Sequence, residues 1–131
     1  MKGAPSLDMY YDTLSSEEQV SYLIKPIIEV LQAAGGQLER SEIRSRISEL
    51  DERIAEFEQK LYTSNKTGNQ YQKFDFKFHF AIKQLGFVGL VSYVNNRPLI
   101  TLTREGANVD LAHFDVKAEV RDTVQRGRYS A

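Results

Sequence analysis

The chain of 131 residues contains no cysteine. Neither a disulfide framework nor a thiolate zinc site is therefore open to it. No apolar run approaches the ~18 residues that a membrane-spanning helix requires. The opening MKGAPSLDMYYDTL lacks the apolar segment of a secretory signal, so a soluble cytoplasmic protein is the expectation. There are two histidines, His79 and His113, and neither sits among carboxylates at metal-ligand spacing. The chain has no G-x-x-x-x-G-K-S/T and no G-x-G-x-x-G, the loops that cradle phosphates. Ser15 and Ser16 are better explained as helix caps than as nucleophiles. No catalytic centre, no metal and no cofactor are expected. The length suggests one domain, and 41% apolar residues are enough for a modest core.

What the chain does have is charge, unevenly placed. The formal net charge is −1, which taken alone argues against a nucleic-acid partner. Residues 1–59, however, hold 6 Lys/Arg against 12 Asp/Glu, whereas residues 60–104 hold 7 Lys/Arg and a single acid, Asp75. Residues 105–131 are nearly balanced, with 4 bases and 5 acids. A basic third between acidic segments points to an anionic partner better than the total does. The plain alternative is chance clustering on a solvated surface.

Several helices are legible. Ser15 with Glu18, or Ser16 with Gln19, fits a capping box. Val20, Leu23, Ile24, Ile27, Ile28 and Leu31 follow at helical spacing and Gly35-Gly36 closes the element. This predicts a helix over about 16–34, kinked or restarted at Pro26. Ser41 is a candidate cap for a second helix, in which Ile43, Ile47, Leu50, Ile54, Phe57 and Leu61 form a heptad-like stripe. That stripe predicts one long helix or two helices broken near Asp51. Residues 63–72, TSNKTGNQYQ, read as a polar loop.

KFDFKFHFAI, residues 73–82, alternates like a strand, with Phe74, Phe76, Phe78 and Phe80 on one face. It also fits a helix, in which Phe74, Phe78, Ala81, Ile82 and Leu85 share a core-facing stripe. The helix accounts for more residues and is the prediction, ended by Gly86 or Gly89. LVSYV (90–94) and LITLT (99–103) then read as two strands joined by Asn95-Asn96-Arg97-Pro98. Thr103 can cap a further helix, and Val116, Val120 and Val124 mark a last one. The ending RGRYSA is polar and reads as a linker or a domain edge.

This order predicts an α+β, mostly α fold: a winged helix-turn-helix with three or four helices, a two-stranded wing and a C-terminal helix. The expected divisions are an arm at 1–14, the winged-helix domain at 15–112 and a helix or linker at 113–131. In such a fold the third predicted helix, here the Phe-rich one, enters the major groove and the wing reaches the neighbouring backbone or minor groove.

The residues resemble the N-terminal winged-helix domain of Mrr-type restriction endonucleases. The matching pieces are Leu23-Ile24-Lys25-Pro26-Ile27-Ile28, Gly35-Gly36 with Ile43 and Ile47, Phe78 to Leu85 with its aromatic-Ala pair Phe80-Ala81, Gly89-Leu90-Val91, and Ile100 to Gly106, similar to a closing Leu-Thr-x-x-Gly. The likeness covers about residues 20–110. It departs from the family at Phe80, where Trp is usual, and in the charged stretch 51–60. The resemblance implies a DNA-targeting module followed in relatives by a separate nuclease domain with an acidic metal-binding core. Nothing after residue 107 resembles that core, so the chain is expected to be the DNA-binding part alone, a fragment or a free-standing relative.

Double-stranded DNA is the expected partner. Lys66, Lys73 and Lys77 can neutralise phosphates, and Asn69, Gln70, Tyr71 and Gln72 can reach phosphates or base edges. Asn96 and Arg97 stand at the hairpin tip, where a narrow minor groove attracts Arg. Phe76 is expected to pack under the wing or against the heptad stripe, with insertion into DNA as the sharper alternative. The competing class is a protein-interaction module, or a transcriptional regulator, in which the Ile43 to Leu61 stripe forms a homodimer or docks a partner subunit. The acids at 39–58 would keep DNA off that side.

Overall fold

A computed structural model describes residues 13–130 of the chain, with side chains placed as far as residue 125. The expected arm therefore lies almost wholly outside the described residues. The first helix, α1 (Ser16–Ala33), opens on the predicted capping box: the Ser15 hydroxyl accepts from the Glu18 N–H at 3.1 Å, and the Ser15 N–H donates to the Glu18 carboxylate at 2.9 Å. That contact holds the Glu18 carboxyl below the usual carboxylate range. Pro26 lies within α1 without ending it, and buried positions continue on both sides from Leu23 to Leu31. The helix closes where the Gly36 and Gly35 N–H groups donate to the carbonyls of Leu31 and Gln32, at 2.8 and 3.2 Å.

A strand absent from the sequence reading comes next, β1 (Gln37–Glu39), with only Leu38 buried. Helix α2 (Arg40–Leu50) is not capped by Ser41. It begins two residues earlier, after Glu39, where the Arg40 N–H is held by the Pro98 carbonyl at 2.9 Å. The chain does break at Asp51, whose carboxylate accepts from the Arg53 N–H at 2.8 Å and starts α3 (Glu52–Gln59). The same carboxylate accepts the Tyr22 hydroxyl of α1 at 2.7 Å. Ile43, Ile47, Ile54 and Phe57 are fully buried, so the heptad-like stripe belongs to the core, while Leu50 and Leu61 remain exposed.

Residues 63–72 are more ordered than a loop. Two short strands, β2 (Tyr62–Thr63) and β3 (Gln70–Tyr71), pair antiparallel, with Tyr62 opposite Tyr71. The Phe-rich stretch is helical: α4 runs Lys73–Phe87 and buries Phe74, Phe78, Ala81, Ile82 and Leu85. Phe74 stacks on Phe78 and meets Phe57 edge-on, both at 5.7 Å between ring centres. Phe76 and Phe80 are left on the outer face, 56% and 51% exposed. The helix passes Gly86 and stops at Gly89, whose φ of 82° suits a residue without Cβ. The Leu90 N–H closes back on the Leu85 carbonyl at 3.0 Å, as in a Schellman ending.

The predicted hairpin forms β4 (Val91–Ser92) and β5 (Leu99–Leu102), with Val91 opposite Leu102. Two strands were expected, but β1 pairs with the other edge of β5, so the sheet has three antiparallel strands in the order β1-β5-β4. Thr103 caps the short α5 (Arg104–Ala107), accepting from the Gly106 N–H at 3.1 Å and donating to the Gly89 carbonyl at 2.6 Å. A 3-10 turn (Leu111–His113) leads to α6 (Val116–Ser130), with Val116 and Val120 partly buried against the core. The whole is a mostly helical α+β structure with two small antiparallel sheets.

Candidate nucleic-acid interface

Burying Phe74, Phe78 and Leu85 fixes which face α4 turns to solvent. Successive outer positions are Phe76, His79, Phe80, Lys83 and Phe87, all exposed. Asp75 is exposed beside them but is tied down. Its carboxylate lies 2.7 Å from Arg44 of α2, which also bonds Glu58 of α3 at 2.7 Å and covers the Phe74 ring at 4.8 Å. The single acid of the basic segment is thus neutralised by a cation from an acidic one.

At the C-terminal half of α4 the outer face meets the hairpin. The Val94 carbonyl accepts from the Arg97 N–H at 3.0 Å, which makes residues 94–97 a turn, and Asn96 holds the positive φ, 68°, that an Asn tolerates. Between turn and helix lies a cleft of about 630 Å³, lined by Arg40, His79, Lys83, Tyr93, Arg97 and the turn residues around it. The Arg40 guanidinium sits over the Tyr93 ring at 5.6 Å. Three permanent cations from three segments converge there, and no carboxylate lines the cleft.

The other predicted residues gather at the opposite end of α4. Lys66 is exposed on the β2–β3 turn, and Asn69 and Gln70 lead exposed into β3. Tyr71 packs between Tyr62 and Phe76, each 6.1 Å away. Gln72 precedes α4 and accepts from Arg44 at 3.4 Å. The Lys73 ammonium lies over the Tyr62 ring at 4.4 Å. Lys77 turns the other way: its ammonium bonds the Ser16 hydroxyl of α1, and burial followed by the charge of Lys73 lowers its pKa. Phe76 packs neither under the wing nor on the α2–α3 stripe; it stands out beside Tyr71.

The sequence reading therefore named the tip residues Asn96 and Arg97 of the cleft but missed Arg40, Lys83, His79 and Tyr93. Lys83 was within reach, since it stands seven residues beyond Phe76 on one helical face. Arg40 was not, because the Arg40–Pro98 contact that brings it there is non-local. His113 lies elsewhere, 2.7 Å from the Asp110 carboxylate. Among the described residues no group of three or more His, Cys, Asp or Glu could hold a metal ion, and no helix is long and apolar enough to cross a membrane.

A small helical domain with one cationic face built on a helix and a hairpin is the class that fold and site define. The sequence model of the Mrr N-terminal domain matches residues 21–111, and the chain belongs to that family, a module associated with restriction systems. No curated protein and no solved structure matches the chain. The match ends at Leu111, after the Thr103-to-Gly106 cap, whose residues have a structural role. The Thr103 N–H donates to the Leu90 carbonyl at 3.0 Å, and a Cβ on Gly106 would meet that same oxygen at 2.0 Å.

Proposed function

We propose that the chain binds double-stranded DNA as the target-recognition module of an Mrr-like restriction system, using a winged helix. The order α1, β1, α2–α3, α4, β4, β5 supports a winged-helix reading, with α4 as the groove-entering helix and the 94–98 turn as the wing. The observation that carries the proposal is the cleft between α4 and that turn, where Arg40, Lys83 and Arg97 converge without a facing carboxylate. A phosphate backbone fits such a cleft, and the exposed α4 face beside it fits a groove. Cleavage would fall to a separate nuclease domain or partner subunit, in the cytoplasm where such DNA is met. The protein-interaction reading loses support because Ile43, Ile47, Ile54 and Phe57 are spent on the core.

Removing Lys83 and Arg97 together tests this. Both side chains are exposed, so the double Ala variant should melt within a few degrees of the parent. Its salt dependence of duplex binding should flatten by about two log–log units, at ~0.9 per lost phosphate contact. Unchanged affinity for duplex DNA at low salt would refute the assignment of the cleft.

A further inference from the structure

The β2–β3 turn and the first turns of α4 enclose a shallow basin of about 510 Å³, in the size range of small-molecule sites. Its lining includes Asn65, Lys66, Asn69, Gln70, Tyr71 and Phe76. We infer that this basin holds a nucleobase that has left the base stack. The inference rests on the duplex-binding proposal and adds a ligand to the other end of the same face.

Three features match that chemistry. Phe76 is 56% exposed and meets Tyr71 in a T-shaped contact (6.1 Å, 69°), so much of its side chain is open to a stacking partner. Tyr71 is braced in turn by Tyr62, over which the Lys60 and Lys73 ammonium groups sit at 4.9 and 4.4 Å. Aromatic rings interleaved with cations are what single bases and their phosphates stack and pair on. Secondly, the turn is preformed by its own backbone. The Ser64 N–H donates to the Asn69 carbonyl at 2.9 Å, the Gly68 N–H to the Ser64 carbonyl at 2.9 Å, and the Ser64 hydroxyl accepts from the Lys66 backbone N–H at 3.2 Å. The amide side chains of Asn65, Asn69 and Gln70 are not used in that network. Such amides can pair with a base edge. Thirdly, no carboxylate lines the basin, because Asp75 is drawn to Arg44.

A base still paired in a duplex shows a protein only its edges, so the exposed ring of Phe76 can be covered by a base only once that base is unstacked. The spacing allows both ends of α4 to be engaged at once. Phe76 and Lys83 are seven residues apart, about 10 Å along a helix axis, or roughly three steps of a DNA strand at 3.4 Å each.

The test compares three probes at 50 mM salt by fluorescence anisotropy: a fully paired duplex, the same duplex with one unpaired base, and the corresponding single strand. The parent should bind the duplex with an unpaired base about tenfold more tightly than the paired one, within the range that base–aromatic stacking supplies. Phe76→Ala should abolish that preference, Phe76→Tyr should retain it and Asn69→Ala should weaken it, each read as the ratio of the two duplex affinities measured with the same variant. A Phe76-dependent gain confined to the single strand would support the basin with single-stranded DNA as its source. Equal affinity for all three probes would overturn the basin and leave duplex binding standing. No binding to any probe would overturn both.

Discussion

Gly106→Ala puts the closing cap of the domain to the test. Gly106 is buried in α5, and a Cβ there would stand 2.0 Å from the Leu90 carbonyl oxygen and 3.0 Å from a Leu102 methyl. Ordinary contact begins at 3.4 Å, so about 1.4 Å must open between two backbone segments. The Leu90 carbonyl cannot move that far and keep its 3.0 Å bond from the Thr103 N–H, nor can α5 move and keep the 3.1 Å bond from the Gln32 amide to the Gly106 carbonyl. Overpacking of this kind costs roughly 1–3 kcal/mol, and each lost hydrogen bond adds about 0.5–1.5 kcal/mol. The gain in helix propensity from Gly to Ala offsets only about 1 kcal/mol. The net expectation is a loss of about 2–4 kcal/mol. At about 4 °C per kcal/mol for a chain of this size, thermal melts should show a fall of roughly 8–16 °C. Ala107→Gly, one residue along and exposed, should cost no more than about 1 kcal/mol. A Gly106→Ala protein that melts at or above the parent temperature would show that the close approach at Leu90 is not what the cap requires.

Two further predictions concern the helices. Phe78→Ala removes a buried ring stacked on Phe74 and should cost about 3–5 kcal/mol, whereas Phe76→Ala should cost about 1 kcal/mol or less, mainly its contact with Tyr71. Equal losses in urea titrations would contradict the helical placement of both. Ser15→Ala should cost about 0.5–2 kcal/mol by removing one half of the capping box. Because the folded state lowers the Glu18 pKa, its contribution is present above the ordinary carboxylate range and is lost as pH falls through the lowered value. Stability measured against pH should therefore fall less steeply in acid for Glu18→Gln than for the parent, and identical curves would refute the link.

The helices were legible because each carries a local signal. Ser15 and Glu18 announce α1, and Leu85 continues the stripe of Phe74 and Phe78 where strand alternation fails. Strand β1 was illegible because it has three residues and one buried side chain, Leu38, and exists only through pairing with residues 99–101. The β2–β3 ladder is two residues long and its pairing closes over a polar turn, so composition alone reads it as loop. The cleft was half legible for the same reason. Asn96 and Arg97 follow from hairpin chemistry, but Arg40 is delivered by β1 pairing and by the Pro98 carbonyl, both non-local. Lys77 had the right charge in the right segment, yet it points to Ser16, because a helical face divides residues that are close in sequence.

Titration of duplex DNA with the unmodified protein at 50 and 200 mM salt tests the central claim most directly. About four phosphate contacts, at ~0.9 log–log units each, predict that affinity falls roughly a hundredfold between the two conditions. No binding at 50 mM salt, or an affinity that does not change with salt, would contradict the account.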